Sequence, residues 1–379
     1  MSLPSDLPSR AASRGESSPE PILQPGEHLP EGARYLPASA ENIFWGRLPC
    51  ATDAPVLHIR PGEQVVVDTL SHEGILEDQG RDPARYFAGH GVPAEQVLTD
   101  AIELAASDHA RDPSVDGPHV NTGPIHVEGA MPGDLLKVTI EALQRRVPYG
   151  IISNRHGKGA LNGEYPRGEA NVSIFAAVEP DSEGVPRGWM APKAGAPRQL
   201  SFDLAPFFGT IGVAVAGEVR PHSVPPGAHG GNIDIKVLTE GTSLYLPVQV
   251  PGALAFVGDP HFAQGDGEVA LTAMEASLRG QLRFDVVPRD QALKDFGAQI
   301  GPIAETRDHL IPTGMDEDLD IAVRHCVRNA IVLLQARWGL DAEHAYAYLS
   351  AATDFNISQV VDIVKGVHAK VSIKDFAGL

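Results

Sequence analysis

Histidine, aspartate and glutamate are concentrated in two glycine-rich segments of this chain. The first reads HGGNID at residues 229–234, and the second reads GDPHFAQGDGE at residues 258–268. Imidazole and carboxylate groups suit zinc or a similar divalent ion, and such a site can keep one position open for water. The two segments therefore predict a divalent metal site, with zinc as the first choice and calcium or another divalent ion as alternatives.

Each of these polar residues also has a structural interpretation. Aspartate or asparagine beside glycine commonly builds an Asx-turn, and this holds equally well for Asp266 and Asn232. A single histidine is more often a hydrogen-bonded structural residue, but His229 and His261 both lie among acids and glycines, which favours a functional role. Glu268 is expected to be partly buried, where a carboxylate must be paired, metal-bound or protonated, and general base is its favoured role.

The usual signatures of nucleophiles and nucleotide sites are absent from the sequence. There is no Gly-x-Ser-x-Gly elbow, Walker loop or dinucleotide fingerprint, and position 76 is leucine where a zincin helix beginning at His72 would need histidine. The two cysteines, Cys50 and Cys326, are too few for a disulfide framework or a thiolate zinc site.

The charge balance excludes two classes of partner. The chain has 49 acidic and 30 basic residues and no basic cluster, so we expect neither nucleic acid nor an anionic membrane surface as a partner. Its longest apolar stretches, at 210–216 and 252–257, fall far short of the roughly 20 residues of a membrane helix. Because the N-terminus also lacks a signal-peptide pattern, a soluble, cytoplasmic protein is predicted.

The elements that must position these residues are mostly short strands. The 39 glycines and 32 prolines favour tight turns, and residues 136–141 alternate apolar with polar side chains as in a half-buried strand. Further strands are predicted at 171–178, 210–216, 244–250, 253–257, 282–287 and 367–373. Because strands rarely tolerate glycine so densely, both charged segments are expected to be loops at strand ends.

Helices are expected mainly near the C-terminus. Apolar residues recur at helical spacing from 316 to 338, a second helix is predicted from a cap at Asp341 to about 351, and a third around 358–365. One earlier helix is predicted to open at Pro93. The fold class is therefore mainly β with a helical C-terminal section (α+β). A Pro- and Ser-rich, flexible arm at 1–40 precedes a domain at 41–379, which is open to division into subdomains at 41–200 and 201–379.

Four segments resemble the acetamidase/formamidase family. They read TGPIHVEGAMPGD at 122–134, HGGNID at 229–234, GTSLYLPVQVPG at 241–252, and GDPHFAQGDGE at 258–268. With weaker similarity at both ends, the resemblance covers about residues 40–375. It implies hydrolysis of a linear carboxamide to a carboxylate and ammonia, β-barrel-like subdomains, a divalent metal and homo-oligomers.

The resemblance also implies roles for individual residues. The family's polar loop positions fall on His229, Asp234, Asp259 and His261, its glycine-flanked glutamate falls on Glu268, and Asp68 or His72 supplies a further ligand. We therefore predict metal ligands at His229, Asp234 and His261, with Asp68 and Asp259 as further candidates, and Glu268 as general base. The predicted substrate-binding residues are Gly230, Gly231, Asn232 and His72.

The predicted substrate is a small amide like formamide or acetamide. However, the segment at 76–107 departs from the compact family pattern and could reshape the mouth of the pocket. Larger amides, lactams and carbamates therefore remain alternative substrates, and a non-catalytic β protein that binds a metal or metabolite remains an alternative function.

Overall fold

The computed structural model of this protein describes residues 22–298 and 301–379. The first ten strands in chain order are β1 (Arg34–Leu36), β2 (Ile43–Trp45), β3 (Leu57–Ile59), β4 (Gln64–Asp68), β5 (Val120–Val127), β6 (Leu135–Arg145), β7 (Tyr149–Asn154), β8 (Val172–Pro180), β9 (Pro186–Met190) and β10 (Leu200–Asp203). The other ten are β11 (Phe207–Val213), β12 (Gly230–Asn232), β13 (Ser243–Pro247), β14 (Ala255–Ala263), β15 (Met274–Glu275), β16 (Leu278–Val287), β17 (Ile303–Glu305), β18 (His309–Asp316), β19 (Asp354–Gln359) and β20 (Lys365–Ser372).

The helices are fewer and lie mostly near the C-terminus. They are α1 (Pro83–Ala88), α2 (Thr99–Ala106), α3 (Arg289–Phe296), α4 (Leu319–Trp338) and α5 (Ala342–Ala352), with short 3₁₀ turns at Glu77–Gln79, Ala94–Gln96 and Ile373–Phe376. The predicted fold class, mainly β with C-terminal helices, is confirmed. None of the helices in the described part of the chain has the length and apolar character needed to cross a membrane.

The strands form two large sheets. One has nine strands in the order β1-β4-β16-β6-β13-β17-β18-β20-β19. The other has eleven, in the order β10-β9-β8-β7-β15-β14-β11-β12, with β5 pairing β14 and carrying β2 and β3. Neither path closes on itself among the described residues, so the expectation of β-barrel-like subdomains was wrong. The sheets are open and cover their apolar faces by packing.

A single large core joins the two sheets. Val67 and Leu282 of the nine-stranded sheet belong to the same buried cluster as Ile151, Ile211 and Val257 of the eleven-stranded sheet. Each sheet also takes strands from both sides of residue 200, because β4 pairs with β16 and β15 pairs with β7. The two halves suggested from the sequence therefore do not have separate cores.

Part of the predicted N-terminal arm is packed against this core. Residues 1–21 lie outside the described residues, but β1 pairs in parallel with β4, and the Leu23 amide donates to the Arg146 carbonyl at 2.8 Å. Arg279 donates to the carbonyl oxygens of Gln24 and Glu27. The guanidinium groups of Arg146 and Arg279 need acceptors, and the backbone carbonyls of Leu23, Gln24 and Glu27 supply some of them.

The two long C-terminal helices agree with their sequence signals. The Asp318 carboxylate accepts hydrogen bonds from two backbone amides at the start of α4, and Gly339 ends it with a φ of 70°. Asp341 caps α5 in the same way. Near Pro93, by contrast, only a 3₁₀ turn forms, and extended backbone at Val97 separates it from α2.

The prediction of a helix around 358–365 was wrong. Its first two residues end β19, and a turn then leads into β20. The side chain of Gln359 explains the turn, because its oxygen accepts hydrogen bonds from the amides of Val361 and Asp362 and its nitrogen donates to the Val364 carbonyl. A side chain that satisfies the backbone locally in this way competes with helix formation.

Candidate active site

The site is built on the central strand β14, which carries Asp259 and His261. We expected these residues in a loop, but they lie two positions apart in a strand and so point to the same face. The glycine before them is tolerated because the strands approach closely there. A Cβ at Gly258 would lie 2.2 Å from the carbonyl oxygen of Val120 on β5. Gly258 therefore reflects close packing within a sheet, whereas Gly265 and Gly267 follow β14 in the connection to β15.

Both neighbours of β14 contribute to the site. His261 is directly opposite Glu275 of β15, and Gly209 of β11 lies opposite Asp259 in the register of the two strands. A Cβ at Gly209 would come within 2.6 Å of carboxylate oxygens of Asp259 and Asp234, and 2.7 Å from the His261 ring. Only glycine at this position leaves room for these three side chains to converge.

The remaining polar residues come from the ends of other strands. They are His72 after β4, His119 before β5, Asp234 after β12, Glu268 between β14 and β15, and Asp362 between β19 and β20. All five side chains are buried. The site therefore gathers residues from both sheets and from nearly 300 positions of sequence.

Asp259 occupies the centre of this cluster. Its Oδ2 lies 3.0 Å from the Nε2 of His261, while its Oδ1 lies 3.5 Å from the Nδ1 of His72 and 3.9 Å from the Nε2 of His119. The Oε1 of Glu275 is also 3.0 Å from His261 Nε2. One carboxylate therefore faces histidines on two sides, as a bridging or central ligand does.

Three overlapping sets of side chains have ligand atoms within 4.8 Å of one another. The sets are His72, His119 and Asp259; Asp259, His261 and Glu275; and Asp234, His261 and Glu268. Among the described residues, several of their buried atoms have no hydrogen-bond partner: both ring nitrogens of His72, the Nε2 of His261, both Asp234 oxygens, the Oδ1 of Asp259 and the Oε2 of Glu275. Buried polar atoms are normally satisfied, so this donor set fits a divalent cation.

The orientation of His261 is fixed by Gln264. The side-chain oxygen of Gln264 lies 3.1 Å from His261 Nδ1, and the side-chain nitrogen of Gln264 donates to the carbonyls of Asp234 (2.9 Å) and Ser358 (3.2 Å). Because two carbonyls require the amide nitrogen on their side, the oxygen must face the ring. Nδ1 is therefore a donor to Gln264, and Nε2 is the nitrogen that faces Asp259 and Glu275.

The carboxylates of the cluster fall into two groups according to the direction in which their pKa values are shifted. Burial, reinforced by neighbouring acids, raises the pKa of Asp234 and Glu268 well above the usual range and raises those of Glu275 and Asp362 to about 7. For Asp259, burial also acts upwards, but His119 and His261 hold its pKa well below the usual range. The acids thus differ in proton affinity, as groups with distinct acid and base roles must.

Burial and the neighbouring charges also shift the pKa values of the histidines. Burial lowers the pKa of His119 to about 4. Burial also opposes charge on His72 and His261, but the nearby carboxylates of Asp259 and Glu73 raise the pKa of His72 to about 10, and the charges of Glu275 and Asp259 raise that of His261 well above normal. The site stabilises positive charge at these positions, and a bound cation would take the place of the protons.

Strained backbone is concentrated here. Five of the nine described non-glycine residues with positive φ line or adjoin the cluster: Asp234, Asp259, Glu268, Leu271 and Ile363. Each such residue costs on the order of 1–3 kcal/mol, and such strain is typical of functional sites.

The cluster opens into a cavity of about 560 Å³. Its polar lining includes His72, His119, Asn232, Asp259, Glu268, Glu275 and Asp362. Residues 76–78, 111 and 113–118, from the connection between β4 and β5, line the cavity. A concave space with a few convergent polar groups and perturbed pKa values is the usual form of an active site.

Comparison with known proteins identifies the family. A model described as "Acetamidase/Formamidase family" matches residues 95–223 and 213–374. The chain is also 30% identical over 315 residues to a formamidase of Methylophilus methylotrophus, covering 68% of this chain and 77% of that protein. The chain belongs to the Acetamidase/Formamidase family. The family predicted from the sequence is thus confirmed, and so is the predicted class, a hydrolase of linear amide carbon–nitrogen bonds.

Two other members of this family are similar over most of their length. An acetamidase of Mycolicibacterium smegmatis is 28% identical over 312 residues, which cover 65% of this chain and 76% of that protein. The crystal structure of an acetamidase from Bacillus halodurans has a TM-score of 0.69 and 26% identity, covering 91% of this chain and 99% of that one.

The structure brings together most of the residues expected from the family resemblance, but not all. His72, Asn232, Asp234, Asp259, His261 and Glu268 lie in or beside the cavity. Asp68 lies elsewhere: its oxygens accept from Arg279 at 2.5 and 2.8 Å and from the Tyr35 hydroxyl at 2.7 Å. A carboxylate so fully paired has no oxygen available for a metal ion.

His229 and the two glycines after it are also outside the cluster. The His229 ring packs beside Gly227 and Gly231 and belongs to none of the three ligand sets. Gly230 and Gly231 lie in β12, paired with β11, and the Gly230 amide donates to the Gly227 carbonyl at 2.9 Å. That amide is therefore not available to a substrate.

Sequence reasoning missed five residues of the site. They are His119, Gly209, Gln264, Glu275 and Asp362. Glu275 is a lone charge in the apolar stretch Ala273-Met274-Glu275-Ala276, and His119 directly precedes the β5 strand that carries a family segment. Those two signals were available. Nothing local marks Gly209, whose importance arises from the strand that lies beside it.

Proposed function

We propose that the protein hydrolyses a linear carboxamide, of the formamide or acetamide type, to a carboxylate and ammonia in this cavity. The observation that carries the proposal is the convergence on Asp259 of two histidines and an acid with unpartnered buried atoms, beside a carboxylate of raised pKa. Amide hydrolysis needs a group that polarises the carbonyl, because resonance deactivates it. It also needs a group that protonates the nitrogen, because the amine is a poor leaving group.

A divalent cation, with zinc as the first choice, is proposed at Asp259. Its ligands would come from His72, His119, His261 and Glu275, and Asp234 is a further candidate because it shares a ligand set with His261. Mixed imidazole and carboxylate ligation is the set that zinc favours. When bound, the cation would polarise the amide carbonyl and lower the pKa of an attacking water.

Glu268 is proposed as the group that moves the proton. It lines the cavity, and burial together with the neighbouring acids raises its pKa, so it binds a proton more tightly than an ordinary carboxylate. It takes a proton from the attacking water and delivers it to the amide nitrogen, which then leaves as ammonia. Proton transfer of this kind contributes about 10²–10⁴-fold to the rate.

The experiment that tests this function measures both products. Purified protein is incubated with formamide and with acetamide, ammonia and carboxylate are quantified, and the metal content is determined on the same sample. We expect equal amounts of the two products and loss of turnover when a chelator removes the bound metal. Release of neither product from these amides would overturn the proposed reaction, and full turnover by metal-free protein would overturn the proposed cation.

A further inference from the structure

The cavity is much larger than the smallest amides require. Acetamide has four non-hydrogen atoms, and at about 30 Å³ each, the share of a water molecule in the liquid, these fill about 120 Å³. The cavity measures about 560 Å³. Most of it therefore lies beyond the reacting group and is available to another part of the substrate.

Apolar side chains line the cavity, among them Val115, Leu271 and Ile363. Val115 is 56% exposed and Ile363 is 53% exposed, and Leu271 is partly exposed. They come from three separate connections, β4–β5, β19–β20 and β14–β15. Single exposed apolar residues are common on proteins, but apolar residues from separate segments that line one concave surface indicate a binding site.

Two of these residues, Leu271 and Ile363, have unusual backbone conformations that also indicate a binding role. Ile363 has a φ of 68° and Leu271 a φ of 121°. A β-branched residue at positive φ is a genuine outlier, since asparagine or glycine would fit Ile363's conformation more easily. The chain therefore presents an isoleucine to the cavity at a cost in strain, which is expected where the side chain has a function.

The charged groups around the cavity are largely paired with one another. Arg111 pairs with Glu77. Arg155 lies 3.0 Å from Asp78 and 3.1 Å from Glu73. Paired charges offer little to a charged substituent, so the apolar residues are the better guide to what the outer cavity accepts.

We propose that the preferred substrate is a linear carboxamide whose acyl chain is apolar and longer than acetyl, with that chain lying against Val115, Leu271 and Ile363. This inference rests on the proposed function, because it concerns the acyl part of the same amide. The amide group lies at the polar cluster, and the chain replaces water in the outer cavity.

The test compares kcat/KM for amides of increasing chain length, namely acetamide, butyramide and hexanamide. Succinamate, which carries a negative charge, is included to test for an anionic substituent. Each buried methylene is expected to raise kcat/KM about three- to fourfold until the cavity is filled. The variant Ile363→Asn suits the local backbone and should fold, and it should lower the ratio of kcat/KM for hexanamide to that for acetamide about fivefold. Val219→Asn, at an 80% exposed position outside the cavity lining, is the matched control and should leave that ratio unchanged.

The outcomes separate this inference from the proposed function. Turnover of formamide and acetamide with kcat/KM falling along the series would overturn the apolar acyl site and leave amide hydrolysis intact. Preference for succinamate over butyramide would overturn it in favour of an anionic substituent, for which the exposed Lys158 on the cavity lining would be the first candidate partner. Absence of ammonia from every amide would overturn both.

Discussion

Gln264 connects three parts of the site through one side chain. It accepts from His261 Nδ1 and donates to the carbonyls of Asp234 and Ser358, so it orients the ring of a candidate ligand with Nε2 towards Asp259 and Glu275. Partners of this kind orient metal-binding histidines and raise their affinity for the ion. Gln264 therefore acts on the reaction through His261 rather than by touching substrate.

Replacing Gln264 tests that role. Gln264→Leu is expected to weaken metal binding about 10–100-fold, because the ring of His261 loses the acceptor that fixes it. Metal affinity is measured by competition with a chromophoric chelator. The control is Gln335→Leu, an exposed position on α4. Equal affinity in Gln264→Leu and the wild type would remove Gln264 from the account.

His229 provides a prediction for stability rather than activity. Burial lowers its pKa to about 4, below the ordinary 6.5. Between these values the unfolded chain takes up a proton that the folded chain does not, so the free energy of unfolding falls as pH decreases from about 6.5 to 4. The loss from this residue reaches about 3 kcal/mol.

The measurement is urea unfolding at a series of pH values. His229→Gln is expected to lose less stability than the wild type between pH 6.5 and pH 4, even though it starts from a lower value at neutral pH. Parallel pH dependences in the two proteins would contradict a buried, neutral His229.

At the scale of elements, the site depends on how closely β11 approaches β14. Gly209 leaves the space into which Asp234, Asp259 and His261 converge, because a Cβ there would lie within 2.7 Å of all three. All three contacts are with side chains of the candidate ligands, so these cannot move aside without disturbing the cluster. The strand pairing and the chemistry are therefore coupled at this one residue.

Gly209→Ala is expected to displace these side chains and to lower both metal content and kcat by at least tenfold. Overpacking of this kind also costs about 1–3 kcal/mol of stability. The matched control is Gly168→Ala, where an added Cβ meets no atom within 4 Å and φ is not positive. Normal metal content and kcat in Gly209→Ala would contradict the geometry described for β11 and β14.

The elements also show what the sequence could and could not predict. Asp259, His261 and Glu268 were found because they lie together in one segment, and α4 and α5 were found from their caps. The strand conformation of Asp259 and His261 was missed because their glycine neighbour reflects a contact with β5, which no local pattern reveals. Asp362 was missed for a related reason: its turn is made by the side chain of Gln359, in a segment that reads as a helix.

At the scale of the whole molecule, one buried charge cluster joins the N-terminal segment to the nine-stranded sheet. Asp68 pairs with Arg279 and lies 3.5 Å from Arg146, and both arginines also bind backbone carbonyls of residues 22–27. These contacts pair the carboxylate of Asp68, a metal ligand in the sequence-based prediction, with side chains of the framework. The homo-oligomeric assembly and the cytoplasmic location expected from the sequence stay predictions.

Asp68→Asn separates these two roles. Removing one partner of a buried ion pair typically costs about 3–5 kcal/mol, so a large fall in the free energy of unfolding is expected, with metal content unchanged. The control is Asp203→Asn, whose side chain is 86% exposed and pairs with Arg187, and where less than about 1 kcal/mol is expected. Loss of metal without loss of stability in Asp68→Asn would restore Asp68 as a ligand.

The central claim is that Glu268 transfers protons during amide hydrolysis in this cavity. Its most direct test is ammonia release from acetamide by Glu268→Gln, with metal content and unfolding measured on the same preparation and Glu103→Gln, at an exposed position on α2, as the control. We predict a loss of at least about 10²-fold in kcat for Glu268→Gln, with metal and fold retained, and full activity for the control. Wild-type turnover by Glu268→Gln would contradict the account.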